Sequence, residues 1–99
     1  PLLSPVAEAL ARHSSIESRR KAERLIREGD ELFRVQNFHS ALQKYKLAVS
    51  TAPDLAEARW RQGHALVATH NYELAADAFK RAIALGDDHG RDGFQLNDL

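Results

Sequence analysis

Five histidines, His13, His39, His64, His70 and His89, are the side chains best able to bind a metal or move a proton near neutral pH. A helical zinc site needs two histidines one turn apart with a carboxylate in register. No two histidines here stand four residues apart, and the chain has no cysteine. No metal site, no cofactor, no disulfide and no cysteine nucleophile is therefore expected. The run Asp88-His89-Gly90-Arg91-Asp92-Gly93 partly resembles a calcium loop, with Gly93 at the sixth place. Gly90 and Leu99 occupy the third and twelfth places, where ligands belong, so the run reads as polar tail. Serine, histidine and aspartate all occur, but a triad is a geometry and no G-x-S-x-G turn presents a serine. No glycine-rich phosphate loop is present either. The expectation is a chain with no catalytic residues, not an enzyme.

The remaining chemistry is charge. Arg19, Arg20, Lys21, Arg24 and Arg27 form a basic run that could meet phosphates. Glu17, Glu23 and Glu28 are interleaved at spacings that make intrahelical pairs, which favours a solvated helix face. Lys plus Arg and Asp plus Glu are 14 each in the 99 residues, so the basic excess of a nucleic-acid binder is missing. The balance hides a polarity: residues 1–49 hold nine basic and six acidic side chains, residues 50–99 five and eight. No apolar run is long enough to span a membrane, and no leader pattern is visible. The expected setting is cytoplasmic. The start at Pro1 rather than Met reads as a fragment of a longer protein.

These side chains are positioned by a repeat. Gly29 and Gly63 stand 34 residues apart, as do Ala22 and Ala56, Leu32 and Leu66, Asn37 and Asn71, Ala41 and Ala75, and Ala48 and Ala82. Aligning residues 22–55 with 56–89 gives ten identities, with Phe38 matched to Tyr72, Tyr45 to Phe79 and Val49 to Ile83 in kind. Leu25, Gly29, Leu32 and Phe33 follow the spacing of a helix face, and Ala41, Leu42, Tyr45, Ala48 and Val49 repeat it. Asn37 and Asn71 suit the turns between. Pro53 closes the second helix, and Gly86 offers a stop for the fourth. Helices are expected near 15–35, 38–51, 55–69 and 72–85, with Gly29 and Gly63 at helix crossings filled by Tyr45 and Phe79.

The flanks carry weaker signals. Ser14-Ser15-Ile16-Glu17 fits a capping box with Ser14 at the N-cap and Glu17 three residues on. Ser4-Pro5 can open a short helix through Leu10 and Ala11. The chain divides into a flank, 1–21, two repeats, 22–55 and 56–89, and a tail, 90–99.

Gly29 and Gly63, Ala41 and Ala75, Tyr45 and Phe79, Ala48 and Ala82, and Pro53 together resemble the tetratricopeptide repeat family, over residues 22–89. The departures are Leu25 and Arg59 at place four, often Trp, Glu28 and Gln62 at place seven, usually Leu, and Asp87 in the second repeat where the first has Pro53. The resemblance implies an all-α fold of antiparallel helix pairs stacked as a short right-handed solenoid. It also implies a concave groove lined by the first helix of each pair. By register the groove places are Glu23, Ile26, Arg27, Asp30, Phe33 and Arg34, then Glu57, Trp60, Arg61, His64, Val67 and Ala68.

The residues expected to meet a partner are Ile26, Arg27, Asp30, Phe33, Trp60, Arg61, His64 and Val67. They suit an amphipathic helix or an extended apolar segment of a protein partner, with no nucleic acid and no membrane involved. In the family, chaperone C-termini are gripped by Lys and Asn at places that here hold Ile26 and Asp30. A carboxylate would meet like charge at Asp30 and no donor at Ile26, costing on the order of 1–3 kcal/mol per lost bond. Two readings of Trp60 stand: anchor for the partner, or filler between helices. A second functional reading is a homodimer, because two repeats are fewer than the three that usually bury a continuous core.

Overall fold

The computed structural model describes residues 4–6 and 15–86, and among them it is all-helical with no strand. Helix α1 spans Ile16–Arg34, α2 Phe38–Thr51, α3 Ala56–Ala68 and α4 Tyr72–Ala84. Each boundary lies within a residue of the sequence expectation. Pro5 and Val6 are helical, and the rest of the expected first short helix lies outside the described residues, as do the whole tail, His13 and His89.

The N-cap of α1 is Ser15, not Ser14: the Ser18 backbone N–H donates to Ser15 Oγ at 3.0 Å. Glu17 is thereby the second helical residue and cannot close the capping box expected of it, though its charge still favours the positive helix end. The basic run also pairs differently from expectation. Glu28 meets Lys44 of α2 at 2.9 Å, and Arg19 meets Asp54 beyond α2 at 3.5 Å. The first ties α1 to its hairpin partner α2 and the second ties it to the loop after α2, instead of running along the helix.

Helices α1 and α3 both end in a Schellman turn. The Asn37 N–H donates to the Leu32 carbonyl at 2.8 Å and Gln36 N–H to Phe33 at 2.9 Å; Asn71 to Leu66 at 2.8 Å and His70 to Val67 at 3.0 Å repeat the pattern. The residues that reverse the chain are Gln36, φ 66°, and His70, φ 65°, one place before the asparagines. Asn37 and Asn71 do start α2 and α4, but neither side chain caps its helix. Ala52, held extended ahead of Pro53 at φ −137°, ψ 81°, ends α2 as expected. Gly86, φ 84°, follows α4 in the left-handed conformation that glycine adopts at least cost.

Helices joined by such tight turns pack as antiparallel hairpins, α1 with α2 and α3 with α4. Helix α2 packs on α3, and α1 also reaches α3. Close approach rests on small residues: Ala22, Ala41, Ala48, Ala58, Ala65 and Ala82 are wholly buried. At each hairpin crossing a glycine faces an aromatic ring. A Cβ on Gly29 would lie 2.8 Å from Tyr45 Cδ1, and one on Gly63 2.7 Å from Phe79 Cδ1, with Cε1 of each ring closer still. Among the described residues Tyr45 is the bulkiest fully buried side chain, with Ile26, Leu42 and Leu66 around the same core. No helix among the described residues is long and apolar enough to cross a membrane.

Candidate functional site

Where α1, α2 and α3 meet they enclose a concave pocket of about 330 Å³. Asp30, Phe33 and Arg34 come from the last turns of α1, Tyr45 from α2, and Arg61 and His64 from α3. The spacing of Asp30, Phe33 and Arg34 puts all three on one stripe of α1, and the spacing of Arg61 and His64 does the same on α3.

Asp30 is the centre of the polar wall. Its Oδ1 accepts from the Tyr45 hydroxyl at 2.6 Å and from Arg61 Nε at 3.0 Å. Arg61 also reaches Glu57 Oε1 at 3.2 Å, one turn back on α3. One carboxylate therefore joins the core of the first hairpin to the second. Burial, and then the hydrogen bond to Asp30, push the Tyr45 phenol well above its ordinary pKa. Burial alone would lower Arg61, but the Asp30 hydrogen bond and the Glu57 and Asp30 charges outweigh it and raise its pKa. At the rim, Arg34 grips Glu31 through two bonds, 2.9 and 3.0 Å, which lowers the Glu31 carboxyl and raises the guanidinium. The apolar wall is Phe33, edge-on to Phe38 at 4.9 Å.

Of the eight residues expected to meet a partner, the structure brings Asp30, Phe33, Arg61 and His64 together in this pocket. Ile26 is 6% exposed and belongs to the core, so it supports the groove from beneath and offers it no surface. Arg27 is exposed on α1, and Val67, 42% exposed, lies on α3; neither lines the pocket. Trp60 is half-buried at its edge. Its ring lies 4.9 Å from Phe79 and 5.5 Å from His64, so it packs between the helices of the second hairpin and still keeps a solvent face. These ring contacts accord with the reading of Trp60 as filler between helices. Of the other histidines, His39 and His70 lie at the starts of α2 and of the turn before α4, away from the pocket. His70 Nδ1 is 2.8 Å from the Tyr72 hydroxyl.

The residue that sequence reasoning assigned only to the core is Tyr45. The signal was present: Tyr45 and Asp30 occur in the first repeat where Phe79 and His64 occur in the second, so the hydroxyl and its acceptor come and go together. The polar groups of the pocket hold one another in place beside an aromatic wall, an arrangement suited to recognition. No model of a known protein family, no curated protein and no solved structure matches the chain.

Proposed function

We propose that this chain is a protein-interaction module of the tetratricopeptide type, two 34-residue helical hairpins stacked as a short solenoid, and that it binds a helix or extended peptide of a partner protein in its concave groove. The observation that carries the reading is the 330 Å³ pocket between the two hairpins, fixed by Asp30 and walled by Phe33. The doubled Gly29–Tyr45 and Gly63–Phe79 crossings support the repeat assignment, because the same contact recurs in the same register. The partner presents an apolar side chain to Phe33 and the solvent face of Trp60, beside the cations Arg61 and Arg34. An acidic chaperone tail is not the partner on this reading, since its terminal carboxylate would lie against Asp30. The chain has no catalytic role in this proposal.

The test is peptide selection followed by substitution. Helical peptides selected from a random library on the intact chain should bind several-fold more weakly to Phe33→Ala and Trp60→Ala, with helix content by circular dichroism retained. Chaperone-tail peptides should bind no better than scrambled ones. Tight binding of an acidic tail, or selected peptides indifferent to both substitutions, would overturn the proposal.

A second reading, self-association, is favoured by one observation. Tyr72 and Ile83, eleven residues apart, share one stripe of helix α4 and are 60% and 62% accessible. Sedimentation at micromolar concentration decides: a dimer that dissociates on Ile83→Glu supports this reading, and a monomer at every concentration removes it.

A further inference from the structure

A second cavity, of about 310 Å³, opens on the other side of α3, between α2 and α4. Arg59, Gln62 and Leu66 lie across the α3 axis from Arg61 and His64 by helical periodicity. Three cations line this cavity, Lys46 from α2, Arg59 from α3 and Arg81 from α4, against one acid, Asp77.

The two hairpins differ most informatively here. In register, Arg59 replaces Leu25 and Arg81 replaces Leu47. Gln62 and Ala78 replace Glu28 and Lys44, which in the first hairpin form an ion pair of 2.9 Å. The second hairpin has therefore exchanged two leucines for arginines and lost the pair whose long side chains would fill this space. Concave-side cations are neutralised, Arg61 by Asp30 and Glu57 and Arg34 by Glu31. Lys46, Arg59 and Arg81 make no ion pair among the described residues. Arg59 is half-buried, and burial together with the charge of Arg81 makes it less basic than an ordinary guanidinium. Like charges gathered in a partly desolvated cavity repel, and an anion entering between them relieves that repulsion.

We propose that this convex-side cavity binds an acidic peptide segment of a protein partner, with a carboxylate between Arg59 and Arg81 and an adjacent apolar side chain against Leu74. Leu74 is 57% exposed at the cavity's edge and gives that side chain a surface. A peptide fits better than a nucleic acid: the cavity lining holds no aromatic ring on which a base could stack, and the chain has no excess of positive charge. The site is separate from the concave pocket and does not depend on it.

The experiment is fluorescence anisotropy of the intact chain with a labelled glutamate–leucine peptide, a lysine–leucine peptide and a single-stranded DNA oligonucleotide. The acidic peptide should bind, and Arg59→Leu and Arg81→Leu should each weaken it about tenfold or more, the loss of one charge-assisted contact. Arg20→Gln, an equal charge change on exposed α1, should shift it by no more than about twofold under physiological screening. Arg59→Leu restores the first hairpin's residue and Arg81 is exposed, so helix content should persist, and Arg81→Leu alone suffices where Arg59→Leu does not fold. The proposal is overturned by absent binding, by equal loss in Arg20→Gln, by indifference to both arginine substitutions, or by tighter binding of the lysine peptide or the oligonucleotide.

Discussion

Replacing each crossing glycine by alanine should give unequal results from the same chemical change. In an exposed helix interior Gly→Ala stabilises by about 1 kcal/mol through propensity alone. At Gly29 and Gly63 the new methyl enters an aromatic ring with nearly equal overlap, 2.8 Å from Tyr45 Cδ1 and 2.7 Å from Phe79 Cδ1, so the ring must move at either site. Overpacking of this kind costs about 1–3 kcal/mol. The two rings differ in freedom. Tyr45 is 1% exposed and its hydroxyl is held at 2.6 Å by Asp30, so displacing the ring also strains a hydrogen bond worth about 1 kcal/mol. Phe79 is half-buried and packs against Trp60 and His64, but has no hydroxyl to anchor it. Gly29→Ala should therefore destabilise by about 1–3 kcal/mol after the propensity gain, and Gly63→Ala by about 1 kcal/mol or less. Urea unfolding followed by circular dichroism measures both, and Tyr45→Phe in the Gly29→Ala background should be less than additive. Equal losses at the two sites, or a stabilising Gly29→Ala, would refute the argument that Asp30 anchors the Tyr45 ring.

Gln36→Gly should stabilise by about 1 kcal/mol, because Gln36 adopts a left-handed φ of 66° that costs a side-chain-bearing residue about that much; thermal melts read the gain. Ser15→Ala should cost about 1 kcal/mol through loss of the N-cap bond to Ser18, again by urea unfolding. The Tyr45 phenol is raised in the folded state, so above about pH 10 the unfolded chain loses that proton while the folded chain keeps it. Stability should then fall as pH rises, by up to about 1.4 kcal/mol per unit, and this component should vanish in Tyr45→Phe, which itself costs about 1 kcal/mol at neutral pH.

Much of the fold was legible because the repeat writes its crossings in unambiguous types. Gly29 and Gly63, with alanines at fixed places, mark close approach whatever surrounds them, and Pro53 marks an end. The turns were less legible, because the left-handed positions carry Gln36 and His70, residues with no strong preference for that conformation, next to asparagines that have one. Two adjacent serines made the α1 cap a choice between Ser14 and Ser15 that only backbone geometry decides. In the groove, register alone could not separate surface from support. Positions 34 residues apart hold Ile26, buried, and Trp60, half-buried, because α1 packs beside α3 while α3 has no further described helix beyond it. The cavity between α2, α3 and α4 shows in the sequence only as the departures Arg59 and Gln62, because its other walls, Arg81 and Ala78, come from a different helix.

The proposed recognition takes place in the pocket between the two hairpins. A nitrogen-15 chemical-shift map of the intact chain, titrated with a library-selected helical peptide, tests it most directly. The largest shifts are expected at Asp30, Phe33, Arg61 and His64 and at the Trp60 indole, with Leu74 and Ile83 unmoved. Shifts confined to α4, or spread along the outer faces with the pocket silent, would contradict it.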